Sequence, residues 1–369
     1  MERIQNSVIK LDFSERKKDV SSYLDTIEIT DPFTKERKTC QPRENLAFSE
    51  THGLQFCHNY NGSLKSQVIQ CDLEVKDSFS ERKLKSLSLA DCYKAIGEVK
   101  RSSRVRDCST WLEFRVSHDT VKLNKANFCK DRFCPLCQWR RSLKMFSQVS
   151  NIMTVLENRK YRFLFLTLTV RNCSAEELPL TVQALYDGWR YLYNKNSIFR
   201  QAIKGTFKSL EITYNEEADS YHPHFHCILV VTPSYFTKFY LSQDDWSLLW
   251  KKAVSLDYKP IVNIQKAGKT SKGLQGIVLE TVKYTTKEFD YVVYPHVLKA
   301  FLSALPSHRR LSSMTGVVKE VFQELKLEDV EQSDLVLIND DIIREDLSSL
   351  IVQYHWKFGC YNKYVFKYS

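Results

Sequence analysis

The feature that most constrains the fold is a run of alternating histidines, His222, His224 and His226, in the segment HPHFHCILVV. Successive side chains of a β-strand point to opposite faces, so the three imidazoles share one face at a spacing of about 6–7 Å. Two of them can then share a metal ion. Phe225 and Cys227 face the core. The segment predicts a strand with one functional and one buried face; incidental histidines on a surface strand are the alternative.

A second strand, KSLEITY at 208–214, is separated from the first by the polar turn 215–220, which predicts an antiparallel hairpin. Glu211 lies in the middle of this strand, where a carboxylate is costly unless it is paired or bound to a metal. It would complete a His–His–carboxylate site, with His222 as the competing third ligand; a solvent-facing role is the alternative. Such a mixed nitrogen and oxygen site suits Mg²⁺ or Mn²⁺ acting on phosphate.

The pattern around these strands predicts the fold class. Strands are expected at 161–170, 208–214, 222–231 and 258–265, and helices at 178–203, 243–255 and 276–288. The order β-α-β-β-α-β-α predicts an α+β fold, an antiparallel sheet with helices packed on one face, as in ferredoxin-like layers. Hydrophobic residues make up 43% of the chain, which excludes a wholly disordered protein.

The chain contains 11 cysteines but neither a signal-peptide pattern nor an apolar run of the ~18 residues that a membrane span needs. We therefore expect a cytoplasmic protein that acts without a membrane, in which clustered cysteines bind metal. Cys134 and Cys137 form a Cys-x-x-Cys knuckle, Cys129 lies close by, and Cys108 is the expected fourth ligand of a structural Zn²⁺. Cys92 or His118 could replace Cys108, and a redox pair is the alternative.

The net charge of +10 is unevenly distributed. Residues 94–144 carry 13 lysines and arginines against 5 acidic residues, a net of +8, and residues 259–288 carry +4. Residues 324–346 carry −7 and are read as a solvated tail, or as a contact for a basic partner or a DNA mimic. The basic segments predict salt-sensitive binding to nucleic acid, with solvated faces as the alternative. The residues expected to contact DNA beside the cysteines are Lys130, Arg132, Arg140 and Arg141, with Trp139 as a stacking surface.

Glu280 and Tyr284 are spaced i, i+4 in LETVKYTTKEFDY, which places them on one face of a helix. A phenol near lysines and a metal ionises more readily, and a phenolate can attack phosphorus. The neighbouring carboxylate can accept a proton from water or a sugar hydroxyl. Lys283 and Lys287 are the nearby lysines and further candidate DNA contacts. Tyr291 and Tyr294 compete for the nucleophile's role.

Four segments, taken in order, carry a family resemblance. HPHFHCILVV resembles the His-hydrophobic-His motif of the HUH endonuclease superfamily, and FLFLTLTVRN resembles its preceding strand motif. LETVKYTTKEFDY resembles the motif with the nucleophilic tyrosine, and CKDRFCPLCQWRR resembles the upstream cysteine segment. Over about residues 105–295 the chain resembles the rolling-circle plasmid replication initiators of Gram-positive bacteria, the group with one tyrosine and a helper glutamate.

The resemblance implies a site-specific DNA nickase acting on a single-stranded or cruciform origin. His224 and His226 would hold the divalent metal, Tyr284 would form a 5′-phosphotyrosine, and Glu280 would act at termination. A host helicase and replication machinery are the implied partners, and a homodimer is left open. A single-tyrosine transposase or relaxase and a non-catalytic zinc-containing nucleic-acid-binding regulator are the alternatives.

The same reading divides the chain into four parts. They are an N-terminal extension (1–90), a basic zinc-binding and DNA-binding module (91–150), the HUH catalytic domain (151–300) and a C-terminal region with the acidic segment (301–369).

Overall fold

The structure of the 369-residue chain is a computed structural model. It describes residues 27–30, 37–40, 62–117, 120–267, 273–282, 294–338 and 350–367. The elements of the first half are β1 (Ile27–Thr30), β2 (Arg37–Cys40), α1 (Gly62–Glu74), α2 (Glu81–Ala95), α3 (Val99–Asp107), β3 (Trp111–Val116), β4 (Val121–Ala126) and α4 (Pro135–Asn158). A π-helical segment, Val75–Ser80, joins α1 to α2.

The second half carries the longest strands. Its elements are β5 (Arg162–Thr169), α5 (Leu178–Lys195), α6 (Ser197–Ala202), β6 (Ile203–Asn215), β7 (Ser220–Val231), α7 (Tyr235–Lys238), α8 (Gln243–Val254), β8 (Val262–Lys266), α9 (Gly273–Val282), α10 (Pro295–Ala304), β9 (Ser312–Thr315), α11 (Gly316–Glu324), β10 (Leu350–Lys357) and β11 (Cys360–Lys367). None of the helices in these described ranges combines the length and apolar character needed to cross a membrane.

The central layer is an antiparallel sheet with the strand order β8-β5-β7-β6-β9. The predicted hairpin is β6–β7, and its register sets Glu211 opposite His224 and Ser209 opposite His226. On the other side of β7, β5 pairs so that Thr167 lies opposite His226. The predicted α+β class with an antiparallel sheet is confirmed.

The helices cover both faces of this sheet rather than the single face expected from the sequence. The reason lies in β5, whose run RFLFLTLT is apolar on both faces. Leu164 and Leu166 pack into one core with α5, α8 and α10, whereas Phe163 packs into a second core with α4, α9 and α11. The histidine face of β7 is the face of the second core, because Ile228 and Val230 continue it there.

A second antiparallel sheet, ordered β11-β10-β3-β4, lies next to the cysteine segment. Its inner residues, including Leu112 and Phe114, share the larger core with α2, whose residues 81–90 belong to the predicted N-terminal extension. Leu89 and Tyr93 of α2 are fully buried. The described part of the extension and the strands β10 and β11 therefore pack with the cysteine-bearing segment.

The described part of the acidic segment, 324–338, begins at the last residue of α11 and contacts α4, so it is not a solvated tail. Lys144 Nζ lies 3.2 Å from a carboxylate oxygen of Glu328, and Arg140 donates to the carbonyls of Leu335 and Val336 at 2.9 and 2.6 Å. Asp329 pairs with Arg310 at 2.7 Å. These acidic side chains are thus partly neutralised within the chain.

Adding one methyl group at Gly316, the first residue of α11 after β9, should strongly destabilise the fold. Its φ is +52°, and a Cβ there would lie 2.1 Å from the carbonyl oxygen of Lys204. Because strain and a backbone clash add, we expect Gly316→Ala to lower the free energy of unfolding by about 3 kcal/mol. Gly97→Ala, at φ +85° with no atom within 4 Å, should cost only about 1 kcal/mol. Denaturant unfolding measures both; equal losses would contradict the clash.

Candidate functional site

The imidazoles of His224 and His226 and the carboxylate of Glu211 meet on the second-core face of the sheet. The Nε2 atoms of the two histidines are 3.2 Å apart, and Glu211 Oε2 lies 2.9 Å from His226 Nε2 and 3.6 Å from His224 Nε2. Both histidines are 8% exposed, and Glu211 is half-buried. The three ligand atoms are close enough to surround one metal ion.

Contacts around the histidines fix how their rings are turned. His224 Nδ1 lies 3.0 Å from the carbonyl oxygen of His222, which can only accept, so Nδ1 carries the proton and Nε2 is left as the ligand atom. His226 Nδ1 lies 3.3 Å from the hydroxyl of Thr167, and Phe165 stacks on the same imidazole. Thr167 and Phe165 were missed by sequence reasoning, although their period-two spacing in β5 matches the histidine spacing.

Electrostatics at this site favour the ionised carboxylate. Burial alone would raise the pKa of Glu211, but hydrogen bonds and the charges of His224 and His226 hold it well below its usual range. A carboxylate that stays ionised at neutral pH is an oxygen ligand for a hard divalent cation. The donor set of two imidazoles and one carboxylate could therefore hold a divalent metal ion.

His222, the competing third ligand, is placed differently. Its ring stacks on His224 with the centroids 4.9 Å apart, and within the described ranges it is not part of the group that converges on one point. Burial, and then the neighbouring His224, lowers its pKa. His222 contributes its backbone carbonyl to the site, and Glu211 is the third side chain of the converging group.

Four cysteines form a second group of potential metal ligands: Cys108, Cys129, Cys134 and Cys137. The Sγ–Sγ distances are 3.6 Å for Cys134 and Cys108, and 3.7 Å for Cys137 with both Cys108 and Cys129. Four thiolates at a Zn–S distance of about 2.3 Å would be about 3.8 Å apart. The predicted fourth member, Cys108, is therefore the one present, and Cys92 lies outside the group. His118 is outside the described residues.

Local structure holds the cysteines in this arrangement. Cys134 precedes the first residue of α4, whose Pro135 suits that position, and Cys137 lies in the first turn. The positive end of a helix favours thiolates. Backbone N–H groups of Cys129 and Asp131 donate to cysteine sulfurs at 3.4 Å, as is common around metal-bound thiolates.

Helix α2 supplies two groups that the sequence did not reveal as part of the cysteine site. Lys83 is fully buried and donates to the carbonyls of Arg106 and Cys108, both at 2.6 Å. Burial lowers the pKa of Lys83, and the nearby cysteines oppose that shift. Ser86 Oγ lies 3.5 Å from Cys134 Sγ. A cation here would offset the negative charge of cysteines that bind a metal as thiolates, and the helical spacing of 83, 86, 90 and 93 could have marked this face.

The basic residues near the cysteines differ in how available they are. Lys130 is exposed, while Arg132 donates to the carbonyls of residues 305–307 and Arg141 to those of residues 130 and 131. Arg140 is 5% exposed and is committed to the acidic segment, so it faces the interior rather than a DNA strand. The ring of Trp139 is covered by Arg82, whose Cζ lies 4.6 Å from its centroid, so it is not a free stacking surface.

The tyrosine segment is described only in part. Tyr284, Lys283, Lys287 and Tyr291 lie outside the described residues, whereas Glu280 is a half-buried member of α9. Helix α9 lies over the histidine face, since Ser209 Oγ donates to the carbonyl of Thr281 at 2.6 Å. Tyr294 hydrogen bonds to Glu216 and packs beside Tyr214, on the opposite sheet face.

Comparison with known proteins gives a consistent family. The model of the family described as Rep_1, Replication protein, matches residues 120–365. A Protein rep of Lactiplantibacillus plantarum is 40% identical over 301 residues, which cover 77% of this chain and 94% of the relative. A Protein rep of Streptococcus pneumoniae is 38% identical over 268 residues, covering 70% and 83%, respectively.

A Protein rep of Bacillus amyloliquefaciens is 36% identical over 292 residues, covering 73% of this chain and 85% of the relative. No solved structure matches the chain. The family match spans the histidine strand and three of the four clustered cysteines, and Cys108 lies before it. The chain belongs to the Rep_1 family of replication proteins.

Proposed function

We propose that this protein initiates rolling-circle replication of a plasmid by nicking one strand of origin DNA in the cytoplasm. The observation that carries the proposal is the convergence of Glu211, His224 and His226 beneath the helix that leads to Tyr284. Membership of a replication-protein family gives the reaction its context. The nick would leave a 3′-hydroxyl from which host helicase and replication machinery extend the strand.

The chain's own groups can be assigned roles in this reaction. Glu211, His224 and His226 would hold Mg²⁺ or Mn²⁺, which when bound withdraws charge from the scissile phosphate. The phenolate oxygen of Tyr284 would form a bond to phosphorus as the bond to the 3′-oxygen breaks, leaving a 5′-phosphotyrosine. At termination Glu280 would take a proton from water or an incoming 3′-hydroxyl.

A basic cavity supports the expected DNA path. It has a volume of about 480 Å³ and lies between the cysteine-bearing segment and the central sheet, which contributes Ser209. Its basic lining residues are Arg101, Arg104, Lys130, Arg132 and Arg141, against the acidic Asp131 and Glu331. Guanidinium and ammonium groups in this density suit a phosphate backbone. We also propose that residues 91–150 form a DNA-binding module and residues 151–300 the catalytic domain.

Two alternatives remain testable against the proposal. A transposase or relaxase could share the histidine strand, but the replication-protein match and the cysteine group favour an initiator. A zinc-containing regulator without catalysis would form no covalent adduct with DNA. We propose Zn²⁺ at the cysteine group because four closely spaced thiolates match its tetrahedral preference.

Removing one thiolate should empty the zinc site. We expect Cys134→Ser to lose most of its bound zinc and to unfold at lower temperature, because structural zinc contributes directly to folding. Metal analysis and thermal melting measure this. Cys92→Ser is the matched control, a buried cysteine outside the group, and should keep one zinc per chain. Full zinc in Cys134→Ser would refute the assignment.

Glu211 and His222 should differ sharply when they are replaced. Glu211 is the third side chain of the group that would hold the metal. Glu211→Gln should therefore slow Mn²⁺-dependent nicking of a single-stranded origin oligonucleotide at least about 100-fold. His222→Gln keeps the backbone carbonyl that orients His224, so it should have a much smaller effect. The reverse order of effects would make His222 the ligand.

The nucleophile can be trapped as a covalent adduct. Tyr284→Phe removes the attacking oxygen, so we expect no protein–DNA adduct on a denaturing gel, whereas Tyr291→Phe should form the adduct normally. Glu280→Gln should still nick but fail to release the product strand at termination. An adduct with Tyr284→Phe and none with Tyr291→Phe would move the nucleophile.

A further inference from the structure

Lys208 lies on the face of β6 opposite Glu211 and is only 2% exposed. Its Nζ is 3.9 Å from the ring centroid of Phe225 and 4.3 Å from that of Tyr186, with Trp189 at 5.5 Å. Within the described part of the chain the ammonium forms neither a hydrogen bond nor an ion pair. Cation–π contacts compensate only part of the hydration that a buried ammonium loses.

A second cation, Arg309, lies beside the same aromatic ring as Lys208. Arg309 lies over Tyr186, with its Cζ 4.9 Å from the ring centroid, and donates through Nη2 to the amide oxygen of Gln183 at 2.8 Å. Its Nε is buried without a hydrogen-bond partner. Tyr186 is therefore flanked by two cations, and among the described residues neither is paired with a carboxylate.

Both cations line a cavity of about 610 Å³ between α5, β6, β9 and the segment after α10. None of the lining residues in the described ranges is acidic. Polar groups of Tyr193, Asn194 and Ser313 complete the wall, and two further arginines at the rim, Arg190 and Arg310, are paired with Asp187 and Asp329. Among the described lining residues, Lys208 and Arg309 are therefore the lysine and the arginine that have no carboxylate partner.

A cavity with this lining favours an anion. If Lys208 served only to fill the core, an apolar side chain of similar length would do so without the loss of hydration. Burial lowers the pKa of Lys208 to about 8, so the group is still mostly charged at neutral pH. An anion bound in the cavity would form charge-assisted hydrogen bonds with both cations and so replace the hydration that they lose on burial.

We propose that this cavity binds the phosphate group of a nucleotide, held by Lys208 and Arg309 on the sheet face opposite the histidines. The choice of a nucleotide rests on the proposed function, whereas the anion site itself does not. The volume lies in the range that holds small ligands. The phosphate can belong to a free nucleotide, or to a DNA strand that lies along the face of the central sheet opposite the histidines.

The test compares wild type with Lys208→Met, which keeps the length of the side chain and removes its charge, and with Arg309→Gln. Binding of thymidine monophosphate is measured by calorimetry, and binding of a single-stranded oligonucleotide by fluorescence anisotropy without divalent metal. We expect each variant to weaken at least one of these ligands about tenfold or more. Lys204→Met removes an exposed lysine from the same strand and should change neither affinity.

Loss of monophosphate binding in the variants would support a free nucleotide as the ligand. An unchanged or absent response to monophosphate with weaker oligonucleotide binding would support a DNA strand. The proposal is overturned if both variants, shown to be folded by circular dichroism, bind both probes as wild type does. Because the readout is binding, a wild-type chain that binds but never nicks would refute the proposed nickase alone.

Discussion

The pairing of β6 with β7 is the constraint on which the rest of the molecule depends. Its register sets Glu211 opposite His224, and thereby brings a carboxylate to two imidazoles that the strand alternation already aligns. A slip of one residue would turn every side chain of β6 to the other face. Glu211 would then enter the core beneath α5, and Lys208 would replace it beside the histidines, so one register decides the charge of both faces.

Local spacing predicted the parts of the site that lie close together in sequence. Three histidines at period two, a glutamate in the partner strand and a Cys-x-x-Cys knuckle each imply a geometry within a few residues. The structure brings two of the histidines together with the glutamate, and the knuckle together with two further cysteines. That Glu211 rather than His222 lies with His224 and His226 depends on the strand register and the ring orientations, which sequence does not contain. Tyr284 and its neighbours lie outside the described residues, so their role stays a prediction.

What the sequence could not predict depends on contacts between distant segments. The strand β5 is apolar on both faces, so its pattern gives no side on which helices must pack. Lys83 belongs to a helix that precedes the cysteine segment, and Arg140 looks like a surface cation until the chain from 335 to 336 covers it. Both Lys83 and Arg140 donate hydrogen bonds to backbone carbonyls, and no residue pattern in the sequence indicates such partners.

The position of β10 between β3 and β11 has a consequence for synthesis. Tyr354 of β10 pairs with Leu112 of β3, about 240 residues earlier in the chain. While the ribosome synthesises the intervening central sheet, the edge of β3 in the hairpin β3–β4 therefore stays unpaired, because its partner β10 has not yet been made. The histidine-bearing sheet can therefore form before β10 completes the sheet beside the cysteine-bearing segment, so folding of this second sheet depends on residues that are made after the central sheet.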